Sequence, residues 1–332
     1  MNQLQHLLSK RVLILDGAMG TMLQVYKFSE EDFRGNLFKS WDVPLKGNND
    51  LLSLTQPEAI KTIHKKYLEA GADIIETNTF SSTRVALADY KMETYAYQLN
   101  LESARLAREA AEEYTKKTPD QPRFVAGAMG PTNKTASLSP DVNNPGFRAI
   151  SFDQLKDAYY EQAKGLLDGG ADILLVETVF DTLNAKAALF AIDQLQEETQ
   201  RTIPIMLSGT ITDASGRTLS GQTPEAFLIS VEHIPLLSIG FNCALGPSQL
   251  TPHIEALAQN ASFYVSAYPN AGLPNAFGAY DQSPQEMARE IELYLQKNLV
   301  NIVGGCCGTT PEHIKAISEL ARKYPPRSLK TL

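Results

Sequence analysis

Apolar positions along this chain follow two rhythms. Short, nearly continuous apolar runs end in small or polar residues: VLILDGAMG (12–20), ADIIETNTF (72–80), RFVAGAMGP (123–131), ADILLVETVF (171–180), IPIMLSGTI (203–211), LLSIGFNCALG (236–246), FYVSAYPNAG (263–272) and NIVGGCCGT (301–309). Such runs predict strands buried on both faces, as in a parallel sheet. Between them, QPEAIKTIHKKYLEAGA, DQLKDAYYEQAKGLLDGGA and PQEMAREIELYLQKN place apolar residues three and four apart, which predicts helices with one buried stripe. Thr223-Pro224, Thr251-Pro252, Ser283-Pro284 and Thr310-Pro311 predict helix starts. At each, a hydroxyl caps free N–H groups and proline has its first helical φ already set.

Eight strands alternating with helices, each strand ending in glycines or polar residues, predict an α/β fold of the (β/α)8 barrel type. A doubly wound open sheet is the second choice, but LDGAMGTM does not have the G-x-G-x-x-G spacing of its phosphate turn. The barrel is expected over 1–322, with 323–332 as a tail or the start of a linker. Two polar, turn-rich stretches, 26–54 and 131–151, fall after the first and third strands. They are expected as extended βα loops on the catalytic face.

Composition narrows the function. The 332 residues are 43% hydrophobic and 20% charged, enough for a full core. A net charge of −8 argues against a nucleic-acid or anionic-membrane partner. No apolar run has membrane-spanning length, and the N-terminal residues lack a secretory signal pattern. Three cysteines cannot complete a disulfide framework, so a cytoplasmic chain with reduced thiols is expected.

Those cysteines carry the candidate chemistry. Cys243 ends the sixth strand, and Cys306 and Cys307 end the eighth, so a barrel brings all three to one mouth. Three thiolates with an open fourth position could hold a catalytic zinc; a fourth protein ligand, for which His313 is the candidate, would make the site structural. Adjacent side chains on a strand point to opposite faces. Gly304, Gly305 and Gly308 are therefore expected to let the backbone leave strand geometry. His313 itself is expected on a helix surface. Asn270, ending the seventh strand, is a candidate oxygen ligand when substrate is absent. Taken alone, Cys243 would read as a small buried hydrophobe, and a Cys306–Cys307 disulfide would be strained.

DGAMGTMLQ, GADIIETNTF, GPTNKTASLSPDV, ETVFDTLNAKAA, SGTITDASGRTLSGQ, FNCALGP, PNAGLPNAFG and GGCCGTTPEHI, in this order over nearly the whole chain, resemble the homocysteine S-methyltransferase family. The similarity is greatest to the homocysteine-binding module of cobalamin-dependent methionine synthases. The resemblance implies a zinc-dependent barrel that binds L-homocysteine and activates it as a thiolate for methyl transfer, giving methionine. It implies Cys243, Cys306 and Cys307 as zinc ligands. It also implies methylcobalamin as donor, carried with a folate-binding module outside these residues. S-methylmethionine or betaine is the alternative donor, and a structural-zinc binding module the alternative without catalysis.

For the amino acid's carboxylate, the turn Asp16-Gly17-Ala18 with Thr21 offers backbone N–H groups. For its ammonium, Glu177 is preferred, because Ile173, Leu175 and Glu177 share one strand face; Glu76 competes for that role. Asn78, Ser208 and Asp181 are further candidates for the pocket. The GPTNKTASLSPDVNNPGF loop is a candidate docking surface for the carrier of the methyl group.

Overall fold

The computed structural model describes residues 3–213 and 215–329. Eight strands run parallel: β1 (Leu13–Ile14), β2 (Ile74–Glu76), β3 (Phe124–Met129), β4 (Ile173–Val179), β5 (Ile205–Gly209), β6 (Ser238–Asn242), β7 (Tyr264–Tyr268) and β8 (Ile302–Val303). From β2 to β8 each pairs with the next in sequence, and β8 pairs with β1, Leu13 opposite Ile302. The last gap closes where Leu15 bridges Ile74 and the Asp16 N–H donates to the Ile74 carbonyl. The expected (β/α)8 barrel is therefore the fold.

The two-residue period of the strands divides the core. Leu13, Leu15, Ile74, Ala126, Ile173, Leu175, Met206, Tyr264, Tyr268 and Ile302 pack inside the barrel. Leu4 and Leu8 of helix Gln3–Leu8 join them. The alternate residues Ile14, Ile75, Val125, Leu174, Leu207, Ile239 and Val265 face the helical layer. Helix Pro57–Glu69 buries Ile60, Ile63, Tyr67 and Leu68 there, the stripe that its sequence predicted.

Ser151, Thr223, Ser283 and Thr310 cap the helices that follow them. The Thr251-Pro252 start is corrected. That helix runs Pro247–Asn260, with Pro247 in its first turn and Pro252 in its interior. The Thr251 hydroxyl does not cap; it donates back to the Pro247 carbonyl at 3.0 Å. Pro247, after Gly246, is the proline that holds the first-turn position.

The loop after β1 is stiffened by Glu30, whose carboxylate accepts from Leu45 N, Lys46 N and the Arg34 guanidinium. Within the stretch from 323, Arg327 is tied to the barrel. Arg327 is buried and its guanidinium donates to the carbonyls of Ala258, Ala261 and Phe263. Among the described residues, no helix is long and apolar enough to cross a membrane.

Candidate active site at the barrel mouth

Strand ends set the three sulfurs. Cys243 follows β6 with φ of 61°, and Ala244 follows at 57°, a left-handed pair that turns the chain sharply over the mouth. β8 ends at Val303, so Cys306 and Cys307 lie in a turn and are free of strand alternation. The three glycines act in two ways. Only Gly308 is left-handed, at φ 79°. Gly304 is needed for close approach, since a Cβ there would lie 2.8 Å from the Leu15 carbonyl oxygen.

This brings the Sγ atoms of Cys243, Cys306 and Cys307 within 4.8 Å of one another, with Cys243 and Cys307 3.7 Å apart. Sulfurs on a tetrahedral zinc at about 2.3 Å lie about 3.8 Å apart, so the trio fits that ion. Hydrogen bonds from Cys243 and Cys306 push the Cys307 thiol down to about 3, with further help from Tyr280. Hydrogen bonds with Cys243 and Cys307, together with burial, push Cys306 well up. A divalent cation among the three sulfurs would let all of them ionise.

The trio opens on a cavity of about 860 Å³. Asp16, Gly17, Ala18, Thr21, Asn78, Glu177 and all three cysteines line it, as the sequence reading expected. Some of these groups are already engaged. Thr309 Oγ1 accepts from Ala18 N at 3.1 Å, and Thr21 Oγ1 accepts from Gly308 N at 3.1 Å. These bonds lace the β1 turn to the β8 turn. The N–H groups of Met19, Gly20 and Thr21 open helix Met19–Gln24 and have no carbonyl ahead of them in it.

Asp16 belongs with the acids. It is buried, its Oδ2 accepts from Glu76 N at 3.1 Å, and its Oδ1 has no hydrogen-bond partner. Burial, reinforced by the charges of its neighbours, raises Asp16 and Glu177 well above the ordinary carboxylate range. Burial pushes Glu76 up to about 8. Tyr268 donates to Glu177 at 3.5 Å. Such a cluster repels an anion and attracts a cation.

Four residues named from the sequence have partners of their own. Ser208 is fully buried outside the cavity lining, donating to Asn242 at 2.7 Å. Asp181 caps helix Thr182–Thr199 through Leu183 N and Asn184 N. His313 is buried, not a surface residue; its Nδ1 accepts from Thr310 N and its Nε2 meets the Gln282 carbonyl. Asn270 places its amide oxygen on Cys307 N at 3.1 Å. Asn78 lines the cavity, with its amide held by Asn49 and Ser53.

Sequence reading passed over Tyr268, Tyr280 and Asn242. Tyr268 was legible from the period, being on the inner face of β7 with Tyr264. Tyr280 comes from the loop after β7, whose path has no short-range signal. Asn242 was masked by the cysteine beside it. It is bound up with Thr178, a β-branched residue at φ 54° where the β4–β5 register shifts. Such a backbone costs about 1–3 kcal/mol. The Asn242 amide offsets it by accepting from Thr178 N at 3.1 Å and donating to Thr178 Oγ1 at 2.8 Å.

The sequence profile described as homocysteine S-methyltransferase matches residues 13–321. The chain belongs to this family. Among solved structures, the homocysteine methyltransferase MmuM from Escherichia coli is similar in two forms. The metallated form is 25% identical with a TM-score of 0.70, and the oxidized form 24% identical with a TM-score of 0.74. In both, the alignment covers 96% of this chain and 99% of the other. A B12-independent methionine synthase from Shewanella sp. W3-18-1, in complex with selenomethionine, shares the fold at 14% identity and a TM-score of 0.50. That alignment covers 95% of this chain and 98% of the other. In this family member the sulfur trio and the carboxylate cluster face one cavity.

Proposed function

We propose that this family member binds L-homocysteine at the barrel mouth and presents its sulfur, as a thiolate, to a methyl donor, giving methionine. The observation that carries the reading is the cysteine trio, with sulfur spacing suited to zinc, over the same cavity as Asp16, Glu76 and Glu177. Cys243, Cys306 and Cys307 would hold the ion. Bound there, zinc supplies a cationic site that lowers the proton affinity of a substrate thiol.

The chain's residues do the rest. Glu177, with Asp16 and Glu76, takes the substrate ammonium, whose charge relieves the repulsion among the three carboxylates. The free amides at the start of helix Met19–Gln24 face its carboxylate. An amino acid fixed at both ends points its side chain toward the cysteines. The S–CH3 bond then forms as the bond from the methyl group to its carrier breaks, the electron pair leaving with the carrier. Asn270, whose amide oxygen accepts from Cys307 N, would be the oxygen ligand before substrate arrives.

The donor in this reading is methylcobalamin on a cobalamin-binding module, with a folate-binding module to recharge it. The extended GNNDLL and SGTITDASGRTLSGQ stretches support it, as does the turn-rich 131–151 loop, where Val142 and Phe147 are exposed. One observation favours a second donor class. Asp16, Asp50, Glu76, Asp89 and Glu177 line the cavity and, among the described residues, no Lys or Arg does, which suits a small donor whose methyl group sits on a cationic sulfonium or ammonium centre, such as S-methylmethionine or betaine. Assaying the zinc-loaded chain with homocysteine and each of the three donors tests this. Turnover with methylcobalamin supports the first reading; turnover restricted to S-methylmethionine or betaine overturns it in favour of the second.

A further inference from the structure

We propose that Asn242 is a positioning residue for the metal-thiolate centre: its side-chain amide donates to the Cys306 sulfur while anchoring the strained Thr178 bulge next to Glu177. The proposal rests on the zinc reading of the cysteine trio and extends it to a group that is not a ligand. Asn242 is fully buried at the end of β6, one residue before Cys243.

Its orientation is fixed by chemistry. Thr178 N can only donate, and it lies 3.1 Å from Asn242 Oδ1, so that atom is the oxygen. The same oxygen accepts from the Ser208 hydroxyl at 2.7 Å. The NH2 group must then face the other way, where it reaches Thr178 Oγ1 at 2.8 Å and Cys306 Sγ at 3.8 Å. Both lone-pair directions and both protons of the amide are used.

Two consequences follow. An N–H donor aimed at a thiolate withdraws electron density from it and fixes its direction, as groups hydrogen-bonded to ligands do in metal sites. The same amide sets the path of Thr178, which immediately follows Glu177, so the sulfur end and the ammonium end of the cavity share one rigid support.

The test separates the donor to sulfur from the support of the bulge. Asn242→Ser is too short to reach Cys306. Thr178→Gly accepts the left-handed backbone without help. The variants N242S, T178G and N242S/T178G are loaded with cobalt(II) for absorption spectra, and with zinc for competition against a chelator. In N242S and in the double variant, the thiolate-to-cobalt charge-transfer band is expected at longer wavelength, with zinc affinity down about 10- to 100-fold. In T178G the band is expected to stay in place. Should N242S fail to fold, the double variant, in which the strained bulge no longer needs support, carries the same test. Recovery of the wild-type band and affinity in N242S/T178G overturns the proposal, because only the bulge would then have depended on Asn242. A wild-type chain that takes up neither metal overturns the zinc reading itself, and this proposal with it.

Discussion

Glu76 and Glu177 reach the mouth by the same rule, each being an inward-facing residue near the end of its strand, with Ile74 and Ile173 and Leu175 below them. Their high proton affinity has a consequence for stability. Glu76 keeps its proton in the folded chain up to about pH 8, whereas an ordinary glutamate releases it near 4.5. Between those values the unfolded chain holds fewer protons, so stability falls as pH rises, by up to about 1.4 kcal/mol per unit for this group. Asp16 and Glu177 act in the same direction. In the metal-free, substrate-free protein, Tm is expected to drop from pH 5 to pH 8, and Glu76→Gln to flatten that slope; an unaltered slope would refute the assignment. Glu177→Gln is expected to raise the KM for homocysteine about 10- to 100-fold, the loss of a hydrogen bond to a charged group, with a smaller change in kcat. A fall in kcat at constant KM would place Glu177 elsewhere in the reaction.

Elements were legible where period and cap agreed. All eight strands lie within the predicted apolar runs, and three of the four Ser/Thr-Pro starts hold. The fourth failed because a proline signal does not tell a first turn from a second. The turn after β8 was half legible. Its glycines announced a departure from strand geometry, but only the structure divides their duties between left-handed backbone at Gly308 and close packing at Gly304. Gly308 has both constraints, since a Cβ there would lie 2.3 Å from that of Tyr280. Gly308→Ala is expected to cost about 1–3 kcal/mol and to weaken zinc retention, read as a lower Tm and a faster loss of metal to a chelator. Unchanged values would mean that the turn does not set the sulfurs.

The whole-molecule architecture followed from alternation alone, because a parallel strand buried on both faces leaves an unmistakable apolar run. What stayed hidden were contacts between residues distant in sequence. His313 seemed a surface helix residue until the Gln282 loop was seen to cover it, and Ser208 seemed a pocket residue until Asn242 was seen to claim it. The contacts of Arg327 were hidden in the same way. Arg327, beyond the boundary expected at 322, ties residues 258–263 together through three carbonyls. Arg327→Met is expected to destabilise the chain by about 1–3 kcal/mol in urea unfolding, with the zinc site intact; a neutral outcome would return this segment to the status of a linker.

Zinc-edge X-ray absorption, with and without homocysteine, tests the central claim most directly. Three sulfurs and one nitrogen or oxygen ligand are expected at the ion without substrate, and four sulfurs once homocysteine is bound. A coordination shell unchanged by homocysteine would contradict activation of the substrate at Cys243, Cys306 and Cys307.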